Sequence, residues 1–117
     1  MNENEKKCNE VLKGQENDVN AAVMGKYCIV RSSERDVIAG TVEAVDGDRV
    51  LLRDARRLWY WDGAASTAQL ATEGVKNPKN CKFTVAVESL LLMSVVEIIP
   101  TTQQAEANIK EVLVWRR

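Results

Sequence analysis

The chain has 117 residues, with 16 basic and 17 acidic side chains and a formal net charge of −1 at neutral pH, which fits one small domain. This balance excludes a global attraction to DNA or to an anionic membrane, so any anion site must be a local cluster. The absence of histidine removes the usual general base and the commonest metal ligand. We therefore expect a protein that is not an enzyme and has no cofactor or bound metal.

The N-terminal residues 1–24 are polar and rich in Glu, Asn and Lys, and Gly14 interrupts any helix there. They predict a polar extension or a frayed helix, and they do not resemble a signal peptide. Residues 25–117 are predicted to form a single ligand-binding domain.

The first half of this domain is predicted to consist of strands. β-Branched and aromatic runs predict four of them, over residues 26–32, 37–42, 49–53 and 58–61. Asp46-Gly47 is a hairpin signal between the second and the third. Gly40 permits a bulge or a close approach of another backbone.

The second half begins with a short helix. Ser66 and Gln69 form a capping box, and Gly74 is a plausible end of the helix. After a loop at residues 77–80, alternating apolar residues at 83, 85 and 87 predict a strand.

The last third contains the longest apolar segment, residues 90–99, whose β-branched content favours a central strand, although residues 90–93 alone could be helical. Thr101 or Thr102 is predicted to cap a final helix that ends at Lys110 or Glu111. Residues 112–115 could add an edge strand. The predicted fold is therefore α+β, a curved antiparallel sheet with two or three short helices.

The run from Arg56 to Gly63 (Arg-Arg-Leu-Trp-Tyr-Trp-Asp-Gly) carries the functional signal, because two Trp and one Tyr in it make up half of the aromatic residues of the chain, which has three Trp, two Tyr and one Phe. Stacking faces beside guanidinium groups are the components of a pocket for a nucleobase joined to phosphate. Strand alternation predicts Leu58 and Tyr60 on one face and Trp59 and Trp61 on the other.

The same run carries a resemblance to a known family. It is followed by Leu70, Glu73-Gly74-Val75, Pro78, Asn80-Cys81-Lys82-Phe83, Glu97-Ile98-Ile99-Pro100-Thr101 and Val114-Trp115. In this order the motifs resemble the phage anti-defence proteins of the first Thoeris anti-defence type, over residues 25–117.

The resemblance implies a cyclic nucleotide sponge in the host bacterial cytoplasm. Proteins of that family bind the glycocyclic ADP-ribose signals of Thoeris defence, and some also hold cyclic trinucleotides of CBASS defence. They sequester these signals without cleaving them. The resemblance further implies a homodimer or a hexamer built from dimers, with neither DNA nor membrane as partner.

Eight residues are candidate ligand contacts, each with a structural alternative: Arg56, Arg57, Trp59, Trp61, Asp62, Asn80, Lys82 and Phe83. The aromatic residues could instead pack in the core, and the cations could be solvated surface charges. Adjacent arginines on a regular strand point to opposite faces, so the pair is not expected to bind one phosphate together.

The remaining candidates depend on short-range chemistry. Asp62 could accept hydrogen bonds from ribose hydroxyls or cap the turn into Gly63, and Asn80 could reach a base edge. Backbone N–H groups before the Ser66 helix could receive an anion. The alternative function is a protein–protein or RNA-binding module that uses the same aromatic face.

The cysteines, Cys8, Cys28 and Cys81, are far apart and lack a Cys-x-x-Cys pair. This spacing favours reduced thiols in a cytoplasm over structural zinc or a disulfide framework. No apolar run approaches the length of a membrane span.

Overall fold

The computed structural model describes residues 19–116, so most of the predicted N-terminal extension (residues 1–18) lies outside the described residues. The strands are β1 (Tyr27–Ser32), β2 (Val37–Asp46), β3 (Arg49–Tyr60), β4 (Lys82–Phe83), β5 (Val87–Leu92) and β6 (Val95–Pro100); the helices are α1 (Thr67–Glu73) and α2 (Gln103–Glu111). Single 3-10 turns cover Asn20–Ala22 and Pro78–Asn80. This architecture confirms the α+β prediction of an antiparallel sheet with short helices.

The sheet has the strand order β4-β3-β2-β1-β6, and β5 also pairs with β3. All of these pairings are antiparallel. The 12 residues of β3 contact β2 along one edge and then, on the other edge, β5 followed by β4. Strand β3 therefore connects the hairpin end of the sheet to the end where the aromatic run lies.

Two apolar clusters fill the domain, one on each face of β1. Tyr27 and Ile29 join the cluster that includes the helices, through Leu70 and Ile109. Cys28 and its alternate neighbours join a second cluster formed within the curved sheet. Because side chains alternate along a strand, β1 is buried on both faces.

The helix boundaries agree with the capping signals in the sequence. The Ser66 Oγ accepts from the Gln69 N–H at 3.1 Å, and the helix ends at Gly74 with φ of 78°. The Thr102 Oγ1 accepts from the Ala105 N–H at 3.0 Å, so Thr102 rather than Thr101 caps α2.

The prediction of two separate strands at residues 49–53 and 58–61 is wrong, because β3 is continuous. Asp54 adopts a positive φ of 54° inside it, and the pairing with β2 shifts register between Ala39 and Thr41. This irregularity lies beside Gly40, where a Cβ would approach Ala55 Cα to 3.0 Å. The predicted bulge or close approach at Gly40 is therefore confirmed.

The prediction of one central strand over residues 90–99 is also wrong. Met93 and Ser94 separate β5 from β6, and Ser94 has a positive φ of 58°. Within residues 19–116, each of these strands pairs with the sheet along one side only. The predicted strand at 83–87 shortens to the two residues of β4, and the one at 112–115 to a single parallel bridge between Phe83 and Val114.

Candidate functional site

Arg56 is a buried cation that binds backbone rather than solvent. Its side chain is 5% exposed. Its Nη1 donates to the carbonyls of Ile109 at 3.0 Å and Val112 at 2.9 Å, its Nε to that of Thr84 at 2.9 Å, and its Nη2 to that of Phe83 at 3.3 Å. These bonds use four of the five donors of a guanidinium, and they join the end of α2 to the segment around β4.

This network fixes the position of the C-terminal segment. The Trp115 N–H donates to the Phe83 carbonyl at 2.8 Å, and Val114 forms the parallel bridge with the same residue. Phe83 itself is completely buried, with the Arg56 guanidinium 5.4 Å from its ring centroid. The ring of Phe83 therefore packs in the core, as its structural alternative predicted, and a ligand on the surface of this structure would not contact it.

Arg57 and Trp59 lie on a different surface from Arg56. The Arg57 Nη1 lies 2.6 Å from the Asp36 carboxylate, and Trp59 is 65% exposed. Together with Glu34 and Arg35 these residues border a cavity of about 270 Å³, which we call the Trp59 depression. The expectation that the adjacent arginines do not bind one phosphate together agrees with this separation.

The predicted alternation of the aromatic residues is interrupted after Leu58. A register shift between Leu58 and Tyr60 leaves both Trp59 and Tyr60 exposed. Trp61 turns back onto the core cluster around α1, and its Nε1 donates to the Ala64 carbonyl at 3.2 Å. Trp61 therefore has a packing role.

Asp62 and Asn80 bind each other. The Asp62 carboxylate accepts from Asn80 Nδ2 at 2.8 Å and from Asn77 Nδ2 at 3.2 Å, and these hydrogen bonds, the Asn80 bond first, lower the pKa of Asp62. The carboxylate thus joins the turn after β3 to the 77–80 loop. A ribose hydroxyl would have to use the remaining lone pairs of this carboxylate.

Two N–H groups at the start of α1 are paired with side chains of the same turn. Ala65 N donates to Gln69 Oε1 at 2.7 Å, and Gln69 N donates to the Ser66 Oγ. An anion at this position would have to use the other N–H groups of the turn, and the expected anion site stays a prediction.

Lys82 lies over the ring of Trp115, a residue that lines a surface cavity. Its Nζ lies 5.5 Å from the ring centroid of Trp115, and Tyr60, which is 50% exposed, pairs directly with it across β3 and β4. Behind Trp115 lies a cavity of about 470 Å³, which we call the Trp115 groove. Its lining includes Lys79, Cys81, Glu111, Leu113, Trp115 and Arg116.

The Trp115 groove combines an aromatic face with cations. Lys79 and Arg116 line it and Glu111 supplies a single carboxylate, while Lys82 lies over the ring of Trp115. Burial raises the pKa of the Cys81 thiol, so this group stays neutral near pH 7. The arrangement suits a flat anionic ligand that stacks on Trp115 and lies against the ammonium and guanidinium groups.

Sequence reasoning placed the site on the aromatic run and left Trp115, Lys79 and Arg116 outside the candidate residues. The available signal was a tryptophan followed by arginines near the C terminus, which indicates an anchored end. That Lys79 and Trp115 line one cavity depends on the Arg56 network, which local sequence does not reveal. Arg117 lies outside the described residues.

Among residues 19–116 no three Cys, Asp or Glu side chains come together as a metal-binding group. No helix in the same part of the chain has the length and apolar character needed to cross a membrane.

The fold and the groove define a small α+β domain with a cationic, aromatic surface cavity. The chain belongs to the family described as a domain of unknown function, DUF6948, whose model matches residues 25–109. A solved structure, that of a heptameric archaeal Sm protein described for its implications for the eukaryotic snRNP core, is similar with 18% identity and a TM-score of 0.45, covering 70% of this chain and 94% of that chain. No curated protein matches the sequence.

Proposed function

We propose that this protein is a phage anti-defence sponge that binds a cyclic nucleotide immune signal in the Trp115 groove and sequesters it without degrading it. The proposed ligands are glycocyclic ADP-ribose and, as a further ligand class, a cyclic trinucleotide, and the protein acts in the host bacterial cytoplasm. The observation that carries the proposal is the approach of Lys82 to the Trp115 ring beside a cavity of about 470 Å³.

The size and chemistry of the groove support this ligand class. Pockets for small organic ligands generally occupy about 300–1,000 Å³, and stacking a base on an aromatic ring contributes about 1–3 kcal/mol. Lys79 and Arg116 lie where a phosphate of a stacked nucleotide could contact them. A local cluster of this kind binds an anion even though the net charge of the chain is −1.

The groups around the groove support binding without chemistry. A neutral thiol is a poor nucleophile, and the raised pKa of Cys81 keeps it in that form. The nearby Asp62 carboxylate accepts two amide hydrogen bonds, and its lowered pKa makes it a weak base. These features favour sequestration over cleavage.

Self-association is part of the proposal, as a homodimer or as a hexamer of dimers. The strands β5 and β6 present Leu91 and Val96 at 55% exposure each, and Met93 in the turn between them is 58% exposed. Exposed apolar edge strands are surfaces that pair with another chain. Residues Arg57 and Trp59 would then reach a bound ligand from a neighbouring copy.

Titration calorimetry with glycocyclic ADP-ribose and with a cyclic trinucleotide tests the proposal. A sponge must bind with nanomolar affinity, about −12 kcal/mol. We expect Trp115→Ala, Lys82→Ala and Trp59→Ala each to weaken binding at least about tenfold, because each removes one stacking or charged contact. Arg49→Ala, on the distant hairpin, is the matched control and should leave the affinity unchanged.

The outcomes separate the parts of the proposal. Unchanged affinity in Trp115→Ala contradicts the assignment to the groove, and unchanged affinity in Trp59→Ala confines the ligand to one chain. Failure to bind any of the cyclic nucleotides overturns the sponge function. Binding of RNA instead, with an affinity that falls steeply as salt rises, would establish the alternative module.

A further inference from the structure

A further cavity lies on the other side of the C-terminal segment from the Trp115 groove, and a buried hydroxyl without a hydrogen-bond partner lines it. It has a volume of about 250 Å³, and Tyr27, Asp54, Arg56 and Lys110 contribute its polar lining. Val114 lines both this cavity and the Trp115 groove, so the segment separates the two. We call it the Tyr27 cavity.

The buried end of the Tyr27 cavity carries two hydrogen-bond donors, from Tyr27 and from Arg56. Tyr27 is 5% exposed, and its hydroxyl has no hydrogen-bond partner among the described residues. Arg56 is equally buried, and its four bonds to carbonyls leave one N–H of the guanidinium unused. A buried polar group without a partner is costly, so such groups in native structures generally meet a water or a ligand.

Arg56 and Lys110 place two cations at the cavity, and Asp54 and Glu106 place two carboxylates beside them. Lys110 Nζ lies 4.8 Å from the Tyr27 ring centroid and 2.7 Å from the Glu106 carboxylate, and an ammonium keeps further donors for a ligand. Asp54 is exposed and so lies at the rim. Its carboxylate is placed to accept a hydrogen bond from a hydroxyl or amino group on the outer part of a ligand.

We propose that the Tyr27 cavity binds the phosphate group of a small ligand, with the Tyr27 hydroxyl and the Arg56 guanidinium donating to its oxygens and Lys110 balancing its charge. Burial raises the pKa of Tyr27 far above its ordinary value, which keeps the hydroxyl protonated as a donor at neutral pH. A volume of about 250 Å³ admits a phosphate and a few further atoms. This site is independent of the sponge function, since it uses a different cavity.

Inorganic phosphate is the probe, applied to the full chain in thermal unfolding and calorimetry at constant ionic strength. We expect phosphate to raise the Tm of the wild type in a saturable way, with a Kd of about 1 mM or lower. Tyr27→Phe removes only the hydroxyl and should abolish this rise. In phosphate-free buffer the same variant should be at least as stable as the wild type, because an unsatisfied polar group has been removed.

Two further variants sharpen the test. Lys110→Gln should weaken phosphate binding at least about fivefold, whereas Tyr60→Phe, which removes a hydroxyl from an exposed tyrosine, should leave it unchanged. An equal phosphate response in the wild type and in Tyr27→Phe would overturn the proposal. So would the absence of a response together with a loss of stability in Tyr27→Phe, since that pair of results indicates a hydroxyl satisfied by water. If the protein binds phosphate but no cyclic nucleotide, the proposed phosphate site is supported and only the proposed sponge function is overturned.

Discussion

At the scale of single residues, Arg56 shows how one side chain decides the shape of the candidate site. It lies in the most conspicuous motif of the sequence and was a candidate phosphate ligand. In the folded chain it donates to four carbonyls drawn from β4, α2 and the residues beside them. Its partners are 27 to 56 positions away in the chain, so no local pattern could have predicted them.

Replacement of Arg56 by lysine should destabilise the fold. The ammonium keeps the charge but lacks the planar fork, so several buried carbonyls lose their donor. We expect a loss of about 2–4 kcal/mol in the free energy of unfolding, measured by denaturant titration. Arg53→Lys, at a surface pair with Glu43, should change it by less than about 0.5 kcal/mol. Equal effects of the two substitutions would contradict the role given to Arg56.

Two buried residues in β1 are expected to lower the free energy of unfolding at alkaline pH. Burial raises the pKa of the Cys28 thiol from 9.0 to about 11 and also raises the pKa of Tyr27. The unfolded chain therefore releases these protons at lower pH than the folded chain, so the unfolded state gains stability as the pH rises.

We accordingly expect the free energy of unfolding to fall between the ordinary thiol pKa of 9.0 and the folded value of about 11. The contribution of Cys28 is about 2–3 kcal/mol, with a further loss from Tyr27 at higher pH. Chemical denaturation across this range measures the effect. A free energy that stays constant or rises there would show that neither group is desolvated in the folded state.

At the scale of elements, the sequence predicted those parts of the fold that local chemistry specifies. Side-chain capping by Ser66 and Thr102 marked the starts of both helices, and Asp46-Gly47 marked the first hairpin. The turn at Met93-Ser94 was missed because neither residue is a glycine or a proline, and an apolar run of this length has the same pattern whether it forms one strand or two. The positive φ of Asp54 was likewise not predicted, because this residue too is neither a glycine nor a proline.

Gly74 ends α1 in a conformation that only glycine adopts without strain. Its φ is 78° and its ψ is −155°, and an added Cβ would lie 2.3 Å from Asn108 Oδ1. The side chain of Asn108 binds the backbone of Val75 through both its oxygen and its nitrogen, which connects α2 to the end of α1.

We expect Gly74→Ala to cost about 3 kcal/mol, because it combines backbone strain with displacement of the Asn108 amide. Gly47→Ala is the matched control, since that glycine also has a positive φ, of 62°, but nothing lies within 4 Å of its added Cβ. It should cost about 1 kcal/mol. Thermal unfolding compares the two variants, and equal losses would mean that contact with Asn108 is unimportant.

At the scale of the whole molecule, the proposed self-association places the contact between copies of the chain at the sheet edges. Leu91 on β5 is 55% exposed and lies beside the unpaired side of the described sheet. Leu91→Lys should convert the oligomer to a smaller species in size-exclusion chromatography with light scattering, because a lysine on an edge strand opposes pairing. Val85→Lys is the control, since Val85 is 51% exposed but lies outside the strands. An assembly unaffected by Leu91→Lys would place the interface elsewhere.

The central claim is that the chain holds a small cyclic nucleotide without altering it. The most direct measurement is incubation of purified protein with glycocyclic ADP-ribose, removal of free ligand, heat denaturation and mass analysis of what is released. We predict recovery of the intact cyclic compound in stoichiometric amount, at a level that does not decline with incubation time. Recovery of a linear or hydrolysed product would contradict sequestration, and recovery of no nucleotide at all would contradict binding.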